Sequence, residues 1–308
     1  MIRIVSRKLP NGETKTVHPF HICMKGLKNA ILCLDNEDYS TMVKYIAICA
    51  HRKNAIVVIY IVVSNHCHIA ILTESQKKAD AFGQELKRLY SQWFQAKYGV
   101  HHFLSGVDIR ALYLNSDWYV RNTLAYIPRN ALDNGSSIYE YPWSGYSAMF
   151  ADPENKGKGA LVSKLTRRQQ DQVLHSRESL KDVSWRYDND GNLIPETFCD
   201  SEYLEQAFNH DPAYFLKMIG TVNPSEMQEK LVDGPRRMLP DSDFFQEVAD
   251  ISRRWFSAEI TDLSLEKKYH LLPYIWRTRK TTVNQLARVF KLERESVRNA
   301  LRKPDRIG

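Results

Sequence analysis

Two histidines separated by a single residue, His66 and His68, are the side chains of this sequence best placed to hold a metal ion. They open the apolar run HCHIAIL (66–72), which follows a first apolar run, AIVVIYIVV (55–63), and a polar Ser-Asn pair. On a β-strand, alternate side chains point to one face, so both imidazoles would converge on one divalent ion while Cys67 faces away. Most isolated His-x-His pairs lie on a surface or in a core and bind no metal. The metal-site interpretation of His66 and His68 therefore depends on the residues around them.

A second group of candidate residues lies in the block LAYIPRNALDNGSSIYEYPWSGYSAMF (124–150). A helix is expected from about residue 118 to 127 or beyond, with Ser116 or Asp117 as its N-cap. Tyr126 would lie on this helix, and Asn130, four residues later, would share its face and supply an oxygen ligand if the helix persists. Pro128 is expected to kink or end the helix at this point.

The two blocks together resemble the HUH superfamily, in its single-tyrosine branch, which includes the transposases associated with repetitive extragenic palindromes. The run VVSNHCHIAIL is similar to the strand, asparagine and His-hydrophobic-His motif of that family, with Ser64 where proline is common. In the second block, Tyr126 and Asn130 match a Tyr-Ile-x-x-Asn motif, and YPWSGY (141–146) matches a Pro-Trp-Ser-Ser-Tyr-like segment. Ala131 replaces a proline of the family pattern. The resemblance covers about residues 18–150.

The resemblance implies a chemistry of phosphodiester transfer. A metal held by His66, His68 and Asn130 would polarise a scissile phosphate, and the Tyr126 hydroxyl would attack it. The products would be a 5′-phosphotyrosine and a free 3′-hydroxyl, and a second 3′-hydroxyl would reverse the step and join strands without ATP. The metal implied is Mg²⁺ or Mn²⁺, although histidines alone would also suit zinc. Tyr119 is the nearest rival nucleophile.

The expected function is therefore a metal-dependent endonuclease and strand transferase acting on single-stranded or hairpin DNA, as a transposase does. The resemblance also implies a homodimer. Two alternatives stay open: a DNA-binding regulator that kept the fold but lost turnover, and a replication or conjugation nickase of the same superfamily. Two further tyrosines on the preceding helix, Tyr90 and Tyr98, are other rivals for the nucleophile.

Basic side chains near the two blocks are candidate contacts for a phosphate backbone. Lys87 and Arg88 lie on a helix expected over 79–98, and Arg129 follows the tyrosine motif. Charges on such helices are usually a solvated face, which is the alternative interpretation.

The last 44 residues predict a helix-turn-helix. After a helix from about Leu265, the pattern indicates helices over 282–290 and 293–302 joined by a short turn, an arrangement in which the second helix can enter a major groove. Arg294, Arg298 and Asn299 would then face DNA. Helix pairs of this kind also serve only for packing.

The elements that must position these residues predict an α+β fold. Their expected order is β-α-β-β-α-β-α, with strands at 19–26, 55–63, 66–72 and 107–114 and helices at 38–52, 79–98 and 118–127. This order indicates a small antiparallel sheet with helices on one face over residues 1–150. A linker and mainly helical region (151–260), with helices at 201–208, 212–219 and 241–256, and the DNA-binding tail (261–308) would follow.

Composition narrows the class of protein without naming a partner. The 308 residues carry 43 Lys and Arg against 36 Asp and Glu, a net charge of +7 that favours anionic partners. The five cysteines form no CxxC pair, so we expect reduced, mostly buried thiols. No apolar run approaches the roughly 20 residues that span a bilayer, and the first residues lack a signal peptide, so a cytoplasmic location is expected.

Overall fold

The chain forms two compact units in a computed structural model, residues 1–234 and 235–308. The structure describes residues 3–25, 32–100, 104, 107–152, 158–222, 227, 241–279 and 281–302. The division between the units falls inside the segment 151–260 that composition sets apart. No helix of the described ranges is long and apolar enough to cross a bilayer.

The N-terminal unit is an α+β fold. Its main sheet contains the strands β1 (Val5–Lys8), β2 (Thr14–Lys25), β3 (Ile56–Val63), β4 (His66–Thr73) and β5 (Asp108–Tyr113). Its helices are α1 (Asn36–Lys53), α2 (Gln76–Tyr98), α3 (Asp117–Asp133), α4 (Arg167–Leu174), α5 (Ser201–Ala207) and α6 (Pro212–Thr221). A two-stranded sheet, β6 (Ala160–Leu161) with β7 (Arg186–Tyr187), lies between α3 and α5 in sequence.

The main sheet is antiparallel throughout its described pairings. The order β1-β2-β4-β3 places β2 and β4 in the middle, and β5 pairs with the part of β2 beyond β1. His68 on β4 lies opposite Cys23 on β2 and opposite Ile61 on β3. The strands expected at 55–63, 66–72 and 107–114 are confirmed within a residue or two. β2 begins five residues before the expected strand, β1 was not expected, and Gly26 lies outside the described residues.

Helices cover both faces of the sheet, so the expectation of helices on one face is wrong. One core lies between the sheet and helices α1 and α2, with Ile46 and Phe82 among its members. The other lies between the sheet and helices α3, α5 and α6, with Leu124 and Phe215 among its members. The physical reason is visible in β3, which is apolar on both faces and therefore needs cover on both.

Residues 158–222 complete these two cores. Leu174 and Leu193 join the first core, whereas Phe208 and Ile219 join the second. All five cysteines are free and four of them are buried, which confirms the expectation of mostly buried thiols. Burial raises the pKa of the Cys33 thiol to about 12.

The C-terminal unit has its own apolar core. Its helices are α7 (Asp241–Phe256), α8 (Leu265–Thr278), α9 (Val283–Phe290) and α10 (Arg294–Arg302). Val248, Ile275, Phe290 and Val297 represent the four helices in that core. Lys291 ends α9 in the left-handed conformation, at φ 51°, and α10 begins three residues later. The helices expected in this part of the sequence are confirmed.

Candidate metal and tyrosine site

The two histidines of the first motif lie on one face of β4. Strand alternation places Cys67 in the core beneath α1 and α2, so His66 and His68 point to the face covered by α3. Their ring centroids are 4.8 Å apart, at an interplanar angle of 74°. His68 is fully buried, at 0% exposure, whereas His66 is half-buried at the start of the strand.

Helix α3 brings Tyr126 and Asn130 to the same face. Its N-cap is Ser116, whose hydroxyl accepts a hydrogen bond from the Tyr119 amide at 3.1 Å. Of the kink or end expected at Pro128, the end is wrong, because the helix runs through this proline to residue 133. Tyr126 and Asn130 are therefore one helical turn apart, as the spacing predicts. The Tyr126 ring centroid lies 5.3 Å from that of His68.

The amide of Asn130 is oriented by its own helix. Its Nδ2 donates to the carbonyl oxygens of Tyr126, at 2.8 Å, and Ile127, at 3.2 Å. Because both amide hydrogens are directed back at the helix, Oδ1 is the atom presented to the sheet. That oxygen lies 3.4 Å from Nε2 of His66.

The contact between His66 and Asn130 would suit two ligands of one cation. Nδ1 of His66 lies 2.7 Å from Oδ1 of Asn65, so in the neutral ring Nδ1 carries the proton and donates it. Nε2 then presents a lone pair to the Asn130 oxygen, which is also an acceptor. Adjacent ligands of an octahedral Mg²⁺ ion lie about 3 Å apart, given bonds of about 2.1 Å. The 3.4 Å separation fits two ligands of one ion.

The set of donors is two imidazole nitrogens and one amide oxygen. His66 and His68 supply the nitrogens, and Asn130 supplies the oxygen. Among the residues that the structure describes, no group of three or more His, Cys, Asp or Glu side chains is arranged to hold a metal. The candidate site is thus a low-charge set, and a bound ion would keep part of its charge for an anionic substrate.

A third histidine, His21, belongs to the same group and was missed at the level of sequence. It lies on β2, on the face of His68, and its Nε2 is 3.0 Å from Nδ1 of His68. The two rings are stacked, with centroids 5.1 Å apart, and His21 is also fully buried. Only the register of β2 against β4 reveals this contact, and the sequence contains no direct signal of that register.

The tyrosines differ in their access to this site. Tyr90 and Tyr98 lie on α2, against the opposite face of the sheet, where they bind the Leu32 carbonyl and the Asp38 carboxylate. Tyr119 lies two turns before Tyr126 and stacks on Trp118 at 5.5 Å. Tyr126 is closest to the histidines but only 3% exposed. A phosphate can reach its hydroxyl only if the side chains over it move.

The second motif segment, residues 141–146, covers the outer edge of β3. The Tyr141 hydroxyl donates to the Val62 carbonyl at 2.7 Å, and the Val62 amide donates to the Trp143 carbonyl at 2.9 Å. The Trp143 ring stacks on Tyr39, 5.4 Å away. Burial raises the pKa of the Tyr141 hydroxyl above its ordinary value. These contacts anchor Trp143 and its segment to the fold.

The three candidate DNA-binding residues of the N-terminal unit each have an intramolecular partner. Lys87 donates to the Val107 carbonyl at 2.7 Å, and Arg88 binds the Glu85 carboxylate at 2.7 Å. Arg129 donates to the carbonyls of Ile219, at 2.9 Å, and Gly220, which belong to the last turn of α6. The structure thus brings none of these three side chains to the histidine group, and their contacts with DNA stay predictions.

In the C-terminal unit, the three candidate DNA contacts lie on α10. Arg294 and Asn299 are exposed. Arg298 is half-buried and pairs with Glu295 at 3.0 Å. On the opposite side of the helix, Val297 is fully buried in the core of the unit. The exposed side of α10 is therefore polar and its buried side apolar, as the sequence predicts.

Comparisons with known proteins identify no relative. No protein-family model, curated protein or solved structure matches the chain.

Proposed function

We propose that this protein is a metal-dependent endonuclease and strand transferase for single-stranded DNA, with Tyr126 as its nucleophile. The observation that carries the proposal is the convergence of His66, His68, Asn130 and Tyr126 on one face of the sheet. The Asn130 oxygen lies 3.4 Å from Nε2 of His66, and this nitrogen is also an acceptor when the neutral ring carries its proton on Nδ1. The resemblance of both sequence blocks to the HUH superfamily supports the same chemistry.

His66, His68 and Asn130 would hold Mg²⁺ or Mn²⁺, which supplies charge to polarise a phosphate oxygen. The Tyr126 oxygen then attacks phosphorus as its phenolic proton leaves, since a phenol with a pKa of about 10 is mostly protonated at neutral pH. The new bond joins the tyrosine oxygen to phosphorus, and the bond from phosphorus to the 3′-oxygen breaks. The departing 3′-oxygen takes up a proton, and the 5′-phosphate stays on the protein.

Strand transfer follows from the same bonds. Because a phosphotyrosine ester retains the bond energy of the phosphodiester, the 3′-hydroxyl of a second strand can displace Tyr126 without ATP. A hairpin end is the substrate that the resemblance favours. In the C-terminal unit, α10 would contact duplex DNA beside the hairpin through Arg294, Arg298 and Asn299, and a homodimer is the expected assembly.

The burial of Tyr126 favours a second candidate, a DNA-binding regulator without turnover. At 3% exposure the phenol is covered, whereas a nucleophile must meet its phosphate. Such a regulator would bind Mn²⁺ and DNA yet form no covalent adduct.

The experiment that tests the proposal uses labelled single-stranded hairpin DNA from the region around the gene. The wild-type chain is incubated with and without Mn²⁺ and run on a denaturing protein gel. We expect a metal-dependent band of protein linked to DNA, absent in Tyr126→Phe and His66→Ala and retained in the matched control Tyr119→Phe. A band that persists in Tyr126→Phe would refute the assignment of the nucleophile. DNA and Mn²⁺ binding without any band would favour the regulator.

A further inference from the structure

His21 and His68 form a hydrogen-bonded pair in the interior of the sheet. Cys23 lies directly opposite His68 in the β2–β4 register, so His21, two residues earlier, projects from the same face. Nε2 of His21 and Nδ1 of His68 are 3.0 Å apart. Both side chains are at 0% exposure, which disfavours a charged imidazolium in either position.

A hydrogen bond between two neutral imidazoles has one donor and one acceptor, so its direction fixes both tautomers. If His21 donates from Nε2, then His68 accepts at Nδ1 and carries its proton on Nε2. Such a His68 cannot offer Nε2 to a metal. If His68 donates from Nδ1, its Nε2 keeps a lone pair and can act as a ligand. Only the second direction is compatible with coordination through the nitrogen that His21 does not contact.

The neighbouring histidine has a similar arrangement, in which the shorter of its two contacts with amide oxygens favours a proton on Nδ1. His66 places Nδ1 2.7 Å from Oδ1 of Asn65, an atom that can only accept. Its Nε2 faces Asn130. Metal-binding histidines commonly donate their second ring N–H to an outer partner, which fixes the tautomer and the ring orientation. A pair of such contacts on adjacent ligands is expected of a metal site.

We infer that His21 is a positioning residue, which accepts a hydrogen bond from Nδ1 of His68 and thereby holds Nε2 of His68 ready for the metal. His21 itself is then the tautomer protonated on Nδ1. This inference rests on the proposed function, because it assigns His21 a role only if His68 is a ligand.

The first test needs neither metal nor substitution. Long-range ¹H–¹⁵N NMR spectra of the metal-free, ¹⁵N-labelled chain distinguish the two neutral tautomers of each histidine. We expect His68 and His21 both to be protonated on Nδ1. A His68 ring protonated on Nε2 would overturn the inference, whatever the protein does to DNA.

The second test is the dissociation constant for Mn²⁺, measured by calorimetry on the full chain. His21→Leu removes the acceptor and should raise the dissociation constant about 10–100-fold. His21→Gln, whose side-chain oxygen can accept in place of Nε2, should stay within about threefold of wild type. His18→Leu, on the opposite face of β2, is the matched control and should leave the constant unchanged.

The outcomes separate this inference from the proposed function. Wild-type Mn²⁺ affinity in a folded His21→Leu variant would overturn the role of His21 and leave the proposed function standing. An absence of Mn²⁺ binding by the wild-type chain would overturn the proposed function, and the role of His21 with it. Circular dichroism establishes that each variant is folded, and the NMR test stands even where His21→Leu does not fold.

Discussion

Replacement of Asn130 by aspartate tests the metal site through stability rather than through activity. Asn130 is 4% exposed, and its Nδ2 donates to the carbonyls of Tyr126 and Ile127. In Asn130→Asp, a carboxylate oxygen replaces the Nδ2 donor. This oxygen then faces the two carbonyl oxygens to which Nδ2 donated. We expect the variant to lose stability without metal and to regain it with Mn²⁺, because a carboxylate is a stronger ligand than an amide.

The size of the loss can be worked from these contacts. The two hydrogen bonds that Nδ2 donates contribute about 1 kcal/mol each. The protonated carboxyl of Asn130→Asp has one O–H donor, so protonation of the substituted side chain recovers one of these bonds. Burial and the facing carbonyls raise the pKa of this carboxyl in the folded state, and each tenfold rise in its proton affinity costs about 1.4 kcal/mol at neutral pH. We expect a total loss of about 2–4 kcal/mol at pH 7.

The pH dependence of this loss has a definite sign. A carboxyl whose folded pKa lies above its unfolded value binds its proton more tightly in the folded state. The loss is therefore smallest below the ordinary aspartate pKa of about 3.9 and grows as the pH rises through the folded pKa. Urea unfolding between pH 4 and pH 8 measures it.

Asn122 offers a matched control on the same helix. It is 9% exposed and donates to the carbonyl of Trp118, four residues earlier, at 2.8 Å, as Asn130 does to Tyr126. Two turns of helix, about 12 Å, separate it from Asn130. At one fixed Mn²⁺ concentration, 100 times the dissociation constant of Asn130→Asp, the metal should restore about 2.7 kcal/mol to that variant. It should stabilise Asn122→Asp less, because this variant keeps the amide ligand of the wild type. Equal effects of Mn²⁺ on the two variants would refute Asn130 as a ligand.

Three further substitutions probe other parts of the structure. The Arg88 guanidinium, together with that of Arg52, lowers the pKa of Glu85 from an ordinary 4.5 to about 2. These contacts therefore stabilise the fold above pH 4.5, and their stabilisation is lost as the pH falls toward 2. Glu85→Gln should make the free energy of unfolding in urea less dependent on pH between about 2 and 4.5. A pH dependence equal to that of the wild type would contradict this. Arg129→Gln should reduce stability by about 1–3 kcal/mol, because it removes charged donors from the end of α6. The predicted phosphate contact of Arg129 would also lower the slope of log DNA affinity against log salt, and an unaltered slope would exclude that contact. Arg294→Ala should lower the slope of log affinity against log salt for duplex DNA by about 1, and an unaltered slope would exclude this phosphate contact.

The strands and helices that carry the site could be predicted from local patterns. The alternation around His66 and His68, and the helical spacing of Tyr126 and Asn130, each lie within one element, where periodicity is informative. The same is true of the short helices near the C-terminus, whose apolar positions form the core of their unit.

Pairings between distant parts of the chain could not be predicted in this way. The contact between His21 and His68 depends on the β2–β4 register, and a shift of one residue would move His21 to the other face. The intramolecular partners of Arg129 lie about 90 residues away, on α6. Helices on both faces could have been expected from β3, which is apolar on both sides, but periodicity does not say which helices cover which face.

Pro128 shows why a local rule can fail inside a folded protein. A proline lacks the N–H that an interior position of a helix normally donates, so the sequence predicts a break. In α3 the flanking residues are held by tertiary contacts: Ile127 is fully buried in the core, and Arg129 binds the end of α6. These contacts stabilise the continuous helix, and Asn130 is thereby placed opposite His66.

The most direct test of the central claim is the identity of the residue that carries the DNA. The adduct formed with hairpin DNA and Mn²⁺ is digested with nuclease and protease, and tandem mass spectrometry locates the remaining nucleotide. We predict a 5′-phosphate ester on Tyr126, formed only with the metal and absent from Tyr126→Phe. A nucleotide on Tyr119 or another residue would contradict it, as would phosphate transfer without any tyrosine adduct.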